Sequence, residues 1–271
     1  MQNCSYNNQT PSAVAALPNK KRNCMRHHPT ATPVYAINEA FALCRAPLIC
    51  LMIDGARMAS PGILSTALMA YQISRDAIVV APGYHLGHDE QHLLQSGADI
   101  AAEEEQLLAS VDWRNDAYEL FRISTFSGAN RNGYLQPIME CNCLFASAEN
   151  YAAIGHANTA FTLPGGGSIN LHMYRSLGML PHTQLFVMPG EGSFHQYHGG
   201  VTTSSYAERD SEIEKHRVQL HSFWPGGFHS LRREPALLGK VPAVAQPFLE
   251  KSLQRSQKRY NRLTHKGLPL S

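Results

Sequence analysis

The chain has 271 residues and a mass of 29.9 kDa, enough for one α/β domain with a substantial core. A formal charge of +2 and a pI near 8.2 provide no strong field for steering nucleic acid, so no nucleic-acid partner is expected. The apolar run Ala46–Ile53 is too short to span a bilayer, and Met1–Lys21 lacks the apolar segment of a signal peptide. A soluble, cytoplasmic protein is therefore expected.

The six cysteines do not form the pattern of an extracellular disulfide framework, and no CxxC pair is present. Cys141 and Cys143 are two residues apart and would lie side by side on a strand, which is a poor arrangement for a disulfide. Cys44 and Cys50 flank or lie in an apolar strand. Reduced, mostly buried thiols are expected, as in cytosolic proteins.

The first segment, residues 1–34, is polar and rich in Asn, Pro and basic residues, and predicts a loosely ordered leader. An ordered domain is expected over residues 35–240. It begins with a short helix around Asn38–Cys44 and a buried strand over Leu48–Ile53. Ser60 and Pro61 are typical of an N-cap and a first helical position, so a helix is expected from Pro61 to Ser74. A strand at Ala77–Ala81 then completes a parallel crossover unit.

Asp54 follows the first predicted strand directly, and Gly55 and a helix start come next. In open α/β sheets ligands bind beyond the carboxyl ends of the strands. A carboxylate at that place is positioned to hold a cation and, through it, a phosphate. The alternative is an aspartate that only caps a turn.

The middle of the chain predicts a second alternation of helix and strand. Asp99–Ser110 is typical of a surface helix whose Glu103, Glu104 and Glu105 are solvated. A buried strand is expected over Asn142–Ala146, and Ser147 is expected to cap a short helix that ends at Gly155.

Three glycines, Gly165, Gly166 and Gly167, precede a helix expected to be capped by Ser168 and closed by Gly178. The free N–H groups of a helix N-terminus favour an anion, although a tight loop without a ligand is an equal alternative. The spacing matches neither a dinucleotide-binding fingerprint nor a P-loop.

A strand over Gln184–Met188 leads into the polar loop EGSFHQYHGG, and a helix is expected over Ser211–His221. In the loop, His195 and His198 have a spacing that lets two imidazoles meet one metal ion, with a hydrogen-bonded loop as the alternative. Glu191 is placed to serve as a ligand or a base. Residues 241–271 are expected to form a basic tail, solvated or partly helical, with weak contact to anionic lipid as a further possibility.

The order of these pieces resembles the central part of family 2 glycosyltransferases, which have the GT-A fold. The resemblance rests on Asn38-Glu39-Ala40, the apolar strand with Asp54-Gly55-Ala56, and Ser60-Pro61-Gly62. The later segments NCLFASAENYAAIGHANTAFTLPGGG and PGEGSFHQYHGG resemble the acceptor side and the late metal-binding histidine of those enzymes. The resemblance covers roughly Tyr35 to Thr203 and depends on several weak motifs in the right order.

This resemblance implies an α/β fold with a GT-A-like mixed sheet flanked by helices. It implies a nucleotide-sugar donor, commonly a UDP-sugar, whose pyrophosphate is bridged to the protein by Mn²⁺ or Mg²⁺. The acceptor would be a saccharide or a lipid-linked molecule. Carried over by position, Asp54 and His195 or His198 would hold the metal, Asn38, Asp54 and Gly55 would contact the donor, and Gly165–Gly167 would contact the substrate.

Three features depart from the family pattern. The motif Asp54-Gly55-Ala56 lacks the second carboxylate, and no acidic pair marks a general base, for which Glu140 and Glu191 are the nearest substitutes. The strand-helix units that normally bind the nucleoside are missing before Asn38, which implies a domain shortened at its N-terminus. A catalytically inactive remnant that binds a carbohydrate or a protein is therefore a second hypothesis. A hydrolase using a metal on His195 and His198 is a third, which would need a further ligand.

Overall fold

The computed structural model describes residues 32–52, 57–90, 97–136, 138–139, 142–197, 209–224, 226–229 and 231–267. The α-helices are α1 (Val34–Leu43), α2 (Ile63–Ile73), α3 (Gly97–Ala109), α4 (Ala148–Ala153), α5 (Ile169–Met179), α6 (Arg209–Ser222) and α7 (Gln246–His265). The strands are β1 (Leu48–Met52), β2 (Arg57–Ala59), β3 (Ala77–Val80), β4 (Gly83–Leu86), β5 (Ser124–Phe126), β6 (Cys143–Ser147), β7 (Gln184–Val187), β8 (Ser193–His195) and β9 (Ala236–Leu237). Short 3₁₀ helices cover Ala117–Ile123, Gly128–Asn130, Pro164–Gly166 and Ala243–Ala245.

The larger sheet has five strands in the order β1-β6-β3-β7-β9. β6 pairs antiparallel with β1 and with β3, whereas β3, β7 and β9 pair in parallel. β1 therefore runs in the same direction as β3, as expected of a crossover unit, but β6 lies between them. The protein is an α/β protein with mixed sheets flanked by helices, which confirms the coarse fold class.

A second sheet of four strands, in the order β2-β8-β4-β5, continues from the first. The chain passes from β1 to β2, from β3 to β4 and from β7 to β8 with short connections. β1, β3 and β7 run in one direction. After each of them the chain therefore leaves the larger sheet on the same side, at the carboxyl ends of the strands. The second sheet thus lies beyond the carboxyl ends of these strands, where α/β folds bind their ligands.

Both faces of the larger sheet are buried at its central strands β6 and β3. Along β3, Ile78 and Val80 belong to the main apolar core, whereas Ala77 and Val79 pack in a smaller cluster with Ile63 of α2. Alternate residues of a strand point to opposite faces, so a continuous apolar strand such as β3 serves both layers.

β1 differs from the predicted buried strand, because it lies at the edge of the larger sheet and pairs with β6 alone among the described strands. Ile49 is buried, but Met52 is 39% exposed and Cys50 is exposed. Cys44 is also exposed, so of the three cysteines within the described ranges only Cys143 has the buried thiol that the sequence predicted.

The C-terminal segment, predicted as a solvated or partly helical tail, forms the 20-residue helix α7. Its first turn packs into the core: the ring of Phe248 is 3% exposed and lies 4.8 Å from that of Tyr84 and 4.9 Å from that of Phe126, centre to centre. At the other end of the described chain, Val34 is fully buried in the same core. Among the helices that the structure describes, none combines the length and apolarity needed to cross a membrane.

Candidate functional site

The described part of the chain contains only some of the predicted site residues. Asp54, Gly55, Glu140 and His198 lie outside the described residues. Asn38, Glu191, His195 and the glycines Gly165–Gly167 lie within it.

β2 and β8 join the two segments that carry the predicted metal ligands. The strands pair antiparallel, and Arg57 lies directly opposite His195 although the residues are far apart in sequence. Arg57 follows Asp54 by three residues, so the described chain next to Asp54 runs beside the late histidine. One N–H of the Arg57 guanidinium donates to the carbonyl and the hydroxyl of Ser193, at 3.2 Å each.

The second sheet has one aromatic face and one polar face. Strand register aligns four residues across the sheet on the aromatic face: Met58, Phe194, Tyr84 and Phe126. The neighbouring row, on the opposite face, consists of Arg57, His195, His85 and Thr125. The three aromatic rings are buried, whereas the polar row is half-buried. The sheet therefore packs its aromatic face into the core and presents the basic and imidazole side chains on the other.

His85 is the neighbour of His195 and was not predicted as a site residue. β4 and β8 pair in parallel with His85 opposite His195, and the two ring centres are 5.0 Å apart with the rings tilted by 57°. A signal in the sequence exists, since an aromatic residue precedes a histidine in both Tyr84-His85 and Phe194-His195. Only the parallel register of the two strands reveals that the histidines meet.

Glu191 lies where β7 leads into β8, and its carboxylate is held inside the protein. The side chain is 6% exposed. Its Oε2 accepts hydrogen bonds from the hydroxyl of Ser60 and from the backbone N–H of Gly62, the latter at 3.1 Å. Its Oε1 accepts a hydrogen bond from the hydroxyl of Tyr118 at 2.9 Å. With both oxygens engaged, the carboxylate acts in the structure as a brace between β8 and the start of α2.

This brace replaces the N-cap predicted for α2. The helix begins at Ile63 rather than Pro61, with Gly62 as its N-cap residue. Ser60 does not cap the helix with its own side chain; its oxygen accepts a hydrogen bond from the backbone N–H of Gly192 at 2.9 Å. The carboxylate of Glu191 takes the place of the cap, since negative charge is favoured at a helix N-terminus.

Tyr118 shows the electrostatic effect of this carboxylate. Burial, the hydrogen bond to Glu191 and the charge of Glu191 together raise the pKa of Tyr118 to about 12 from its ordinary value of 10.0. Removing the proton would place a phenolate next to a carboxylate in a partly desolvated site. Tyr118 is thus a stable hydrogen-bond donor at physiological pH.

Glu104 corrects another prediction. It was expected to be solvated like its neighbours, but it is 8% exposed and its Oε2 accepts a hydrogen bond from the backbone N–H of Tyr197 at 2.8 Å. Tyr197 follows His195 by two residues. Glu104 and Tyr197 line a cleft of about 370 Å³ together with Glu105 and Arg114. α3 therefore holds the end of the histidine segment.

Asn38 lies in α1, and both the NH₂ group and the oxygen of its side-chain amide form hydrogen bonds with the backbone of Ala157. The NH₂ group donates to the carbonyl of Ala157 at 2.8 Å, and the amide oxygen accepts from the N–H of Ala157 at 2.9 Å. This pair of bonds fixes α1 to the segment after α4. The predicted role of Asn38 in donor binding stays a prediction.

The three glycines before α5 adopt positive φ angles of 67°, 86° and 57°, which other residues rarely adopt. A Cβ on Gly166 would lie 2.9 Å from the side chain of Ile169, so this position is also closely packed. The tight-loop alternative accounts for these glycines without a ligand. Gly178 does not close α5 as predicted; it lies within the helix and is buried.

The predicted metal site has one described member, His195. Among the described side chains, no group of three His, Cys, Asp or Glu residues is close enough to hold a metal ion. The pair His85 and His195 is nevertheless a donor set that fits a divalent transition-metal ion, because neutral imidazoles are good ligands for such ions. Neither the family models nor the curated proteins compared with the chain match it.

Proposed function

We propose that this protein is a metal-assisted glycosyltransferase that moves a sugar from a nucleotide-sugar donor, a UDP-sugar, to a saccharide or lipid-linked acceptor. The proposed fold is of the GT-A type. The site lies on the polar face of the second sheet, at the carboxyl ends of β1, β3 and β7.

One observation supports the proposal above the others. The register of β2 and β8 sets Arg57 opposite His195. The sequence motifs predicted a carboxylate after β1 and a histidine after β7 that would share a metal ion. Because β2 follows the segment that contains Asp54, this register brings the chain just after Asp54 next to His195.

The chain's own residues have distinct roles in this proposal. His195 lies in β8, and Asp54 lies in the sequence between β1 and β2. These two would hold Mn²⁺ or Mg²⁺. When bound, the ion supplies neutralisation of the charge that develops on the leaving nucleoside diphosphate. Arg57 adds a fixed positive charge on the same face. We propose Glu191 as a positioning residue, since it holds the start of α2 against β8.

The test is a panel of nucleotide-sugars assayed for hydrolysis and transfer with and without Mn²⁺. Thermal unfolding is followed in parallel, with UDP and Mn²⁺ added singly and together. The variant is Asp54→Asn, and the matched control is Asp112→Asn, because Asp112 is an exposed aspartate whose side chain accepts hydrogen bonds from the nearby, exposed Asn115. We expect UDP and Mn²⁺ together to raise the melting temperature of the wild-type protein and of Asp112→Asn.

The same addition is expected to leave Asp54→Asn unchanged, and donor turnover is expected to fall by at least about a hundredfold in that variant. An unchanged melting temperature of the wild-type protein with UDP and Mn²⁺, together with no turnover of any donor, would refute the proposal.

A second candidate function is favoured by one observation. Both oxygens of Glu191 are engaged by Ser60, Gly62 and Tyr118, so this carboxylate is not poised as a general base. A protein of the same fold that binds a carbohydrate or a partner protein without turnover would need no base. Binding of a glycan in the absence of nucleotide, measured by calorimetry on the same preparation, would favour this candidate.

A further inference from the structure

His85 and His195 form a pair on adjacent strands of the second sheet. The two residues are opposite each other in the parallel register of β4 and β8, and their ring centres are 5.0 Å apart. A ligating nitrogen lies about 2.1 Å from its ion, so an ion shared by two imidazoles lies about 3.2 Å from each ring centre. Ring centres 5.0 Å apart then subtend about 100° at the ion, between the values of octahedral and tetrahedral geometry.

The backbone behind the pair is rigid. Tyr84 precedes His85 and Phe194 precedes His195, and the rings of these two residues stack in the core 5.4 Å apart. Each is fully buried. Sites built on packed strands are positioned more accurately than sites on loops, so both imidazoles start from well-defined positions.

The rest of the polar row flanks the pair on both sides. Thr125 lies on the far side of His85, opposite it in the pairing of β4 with β5. Arg57 lies on the far side of His195, and its guanidinium is bonded to Ser193.

We propose that His85 and His195 are two ligands of one divalent transition-metal ion, and that His85 makes the site select Mn²⁺, Co²⁺ or Zn²⁺ over Mg²⁺. For its role in chemistry the inference rests on the proposed function, because the ion would be the one that assists the transferase. The selectivity follows from the donors: imidazole suits transition-metal ions, whereas Mg²⁺ takes oxygen ligands and keeps its waters.

The test measures ion binding without donor or acceptor. Free Mn²⁺ is titrated by electron paramagnetic resonance against the wild-type protein, His85→Ala and His85→Gln, with Mg²⁺ as competitor. The matched control is His88→Ala, because His88 is three residues away and its side chain is 72% exposed. Circular dichroism and melting temperature verify that each variant is folded.

We expect tight Mn²⁺ binding by the wild-type protein and His88→Ala, at least about tenfold weaker binding by both His85 variants, and little displacement by a tenfold excess of Mg²⁺. The number of imidazole ligands can also be measured on the wild-type protein alone, from the nitrogen couplings in the electron spin echo of bound Mn²⁺. We expect two imidazoles. The inference is overturned by one imidazole or none, by Mn²⁺ binding that the His85 variants leave intact, or by full displacement by Mg²⁺.

Failure of this inference and failure of the proposed function are distinguishable. Donor turnover that depends on Mn²⁺ but is unaffected in His85→Gln would refute the ligand role of His85 and leave the transferase standing. A two-imidazole Mn²⁺ site without turnover of any nucleotide-sugar would confirm the metal site and refute the transferase.

Discussion

The backbone N–H of Gly62 donates a hydrogen bond to Oε2 of Glu191 at 3.1 Å, although the two residues are 129 positions apart. The contact links the N-terminus of α2 to the connection between β7 and β8. One buried carboxylate therefore connects the segment that follows β2 with the segment that precedes β8. Arg57 of β2 and His195 of β8 lie opposite each other in the two strands next to this contact.

Replacing Glu191 by Gln should destabilise the protein. The amide NH₂ would replace one acceptor oxygen in a buried site surrounded by three donors, from Ser60, Gly62 and Tyr118. We expect the free energy of unfolding, measured by urea denaturation, to fall by about 1–3 kcal/mol. Glu250→Gln, at an exposed position of α7, should change it by less than about 0.5 kcal/mol. Equal stability of the two variants would contradict the role of Glu191 as a brace.

Gly62→Ala should also destabilise the protein. Gly62 is the N-cap residue of α2, where glycine is preferred over alanine, although its φ of −88° is one that alanine adopts readily. Here a Cβ would lie 2.7 Å from the hydroxyl of Tyr118 and 2.8 Å from the carboxyl carbon of Glu191. Overpacking of this kind costs about 1–3 kcal/mol.

The size of the Gly62→Ala effect depends on Glu191 and can be checked with a second background. In the Glu191→Ala protein the steric conflict with the carboxylate is gone and that with the Tyr118 hydroxyl remains, so Gly62→Ala is expected to cost less. Gln72→Ala, at an exposed position of the same helix, is the control for substitution by alanine in α2. A stabilising effect of Gly62→Ala in the wild-type background would show that the carboxylate does not lie where described.

The Tyr118 contribution to stability should disappear in alkali. The folded pKa of about 12 lies above the ordinary value of 10.0, so the contribution is complete below pH 10 and is lost as the pH rises from 10 towards 12. We expect Tyr118→Phe to be less stable than the wild-type protein at pH 8, with a difference that shrinks above pH 10. Urea denaturation at several pH values measures it. Tyr260→Phe, at a half-exposed position, should show no such trend.

His172 should be sensitive to acid. Its Nδ1 accepts a hydrogen bond from the indole N–H of Trp224 at 3.1 Å, and burial lowers the pKa of its imidazole from 6.5. The contribution of the neutral ring to stability is thus present above pH 6.5 and is lost as the pH falls through the lower, folded pKa. The fluorescence of Trp224, followed in a Trp113→Phe background, should change with a midpoint below pH 6.5.

His172→Phe should remove that transition, whereas His265→Gln, at an exposed position of α7, should retain it. The chain has two tryptophans, so the Trp113→Phe background assigns the signal to Trp224. A midpoint at or above pH 6.5 would contradict the buried, neutral state of His172.

Local rules predicted the elements whose signals are local. Ser147 caps α4 as expected, because its side-chain oxygen accepts a hydrogen bond from the N–H of Asn150 three residues later. β3 is fully buried, as its continuous apolar run predicts. The N-cap of α2 was predicted wrongly, because the group that caps it comes from Glu191, outside any local window.

By itself the sequence determined the alternation of strands and helices and the α/β class, because both depend on side-chain type and short-range spacing. Tertiary structure alone decided that β6 separates β1 from β3, that Phe248 of the predicted tail lies in the core, and that His85 lies beside His195. These outcomes depend on which strands pair and in which register. The free energy of that pairing is distributed over contacts between residues that are distant in sequence, which no local pattern records.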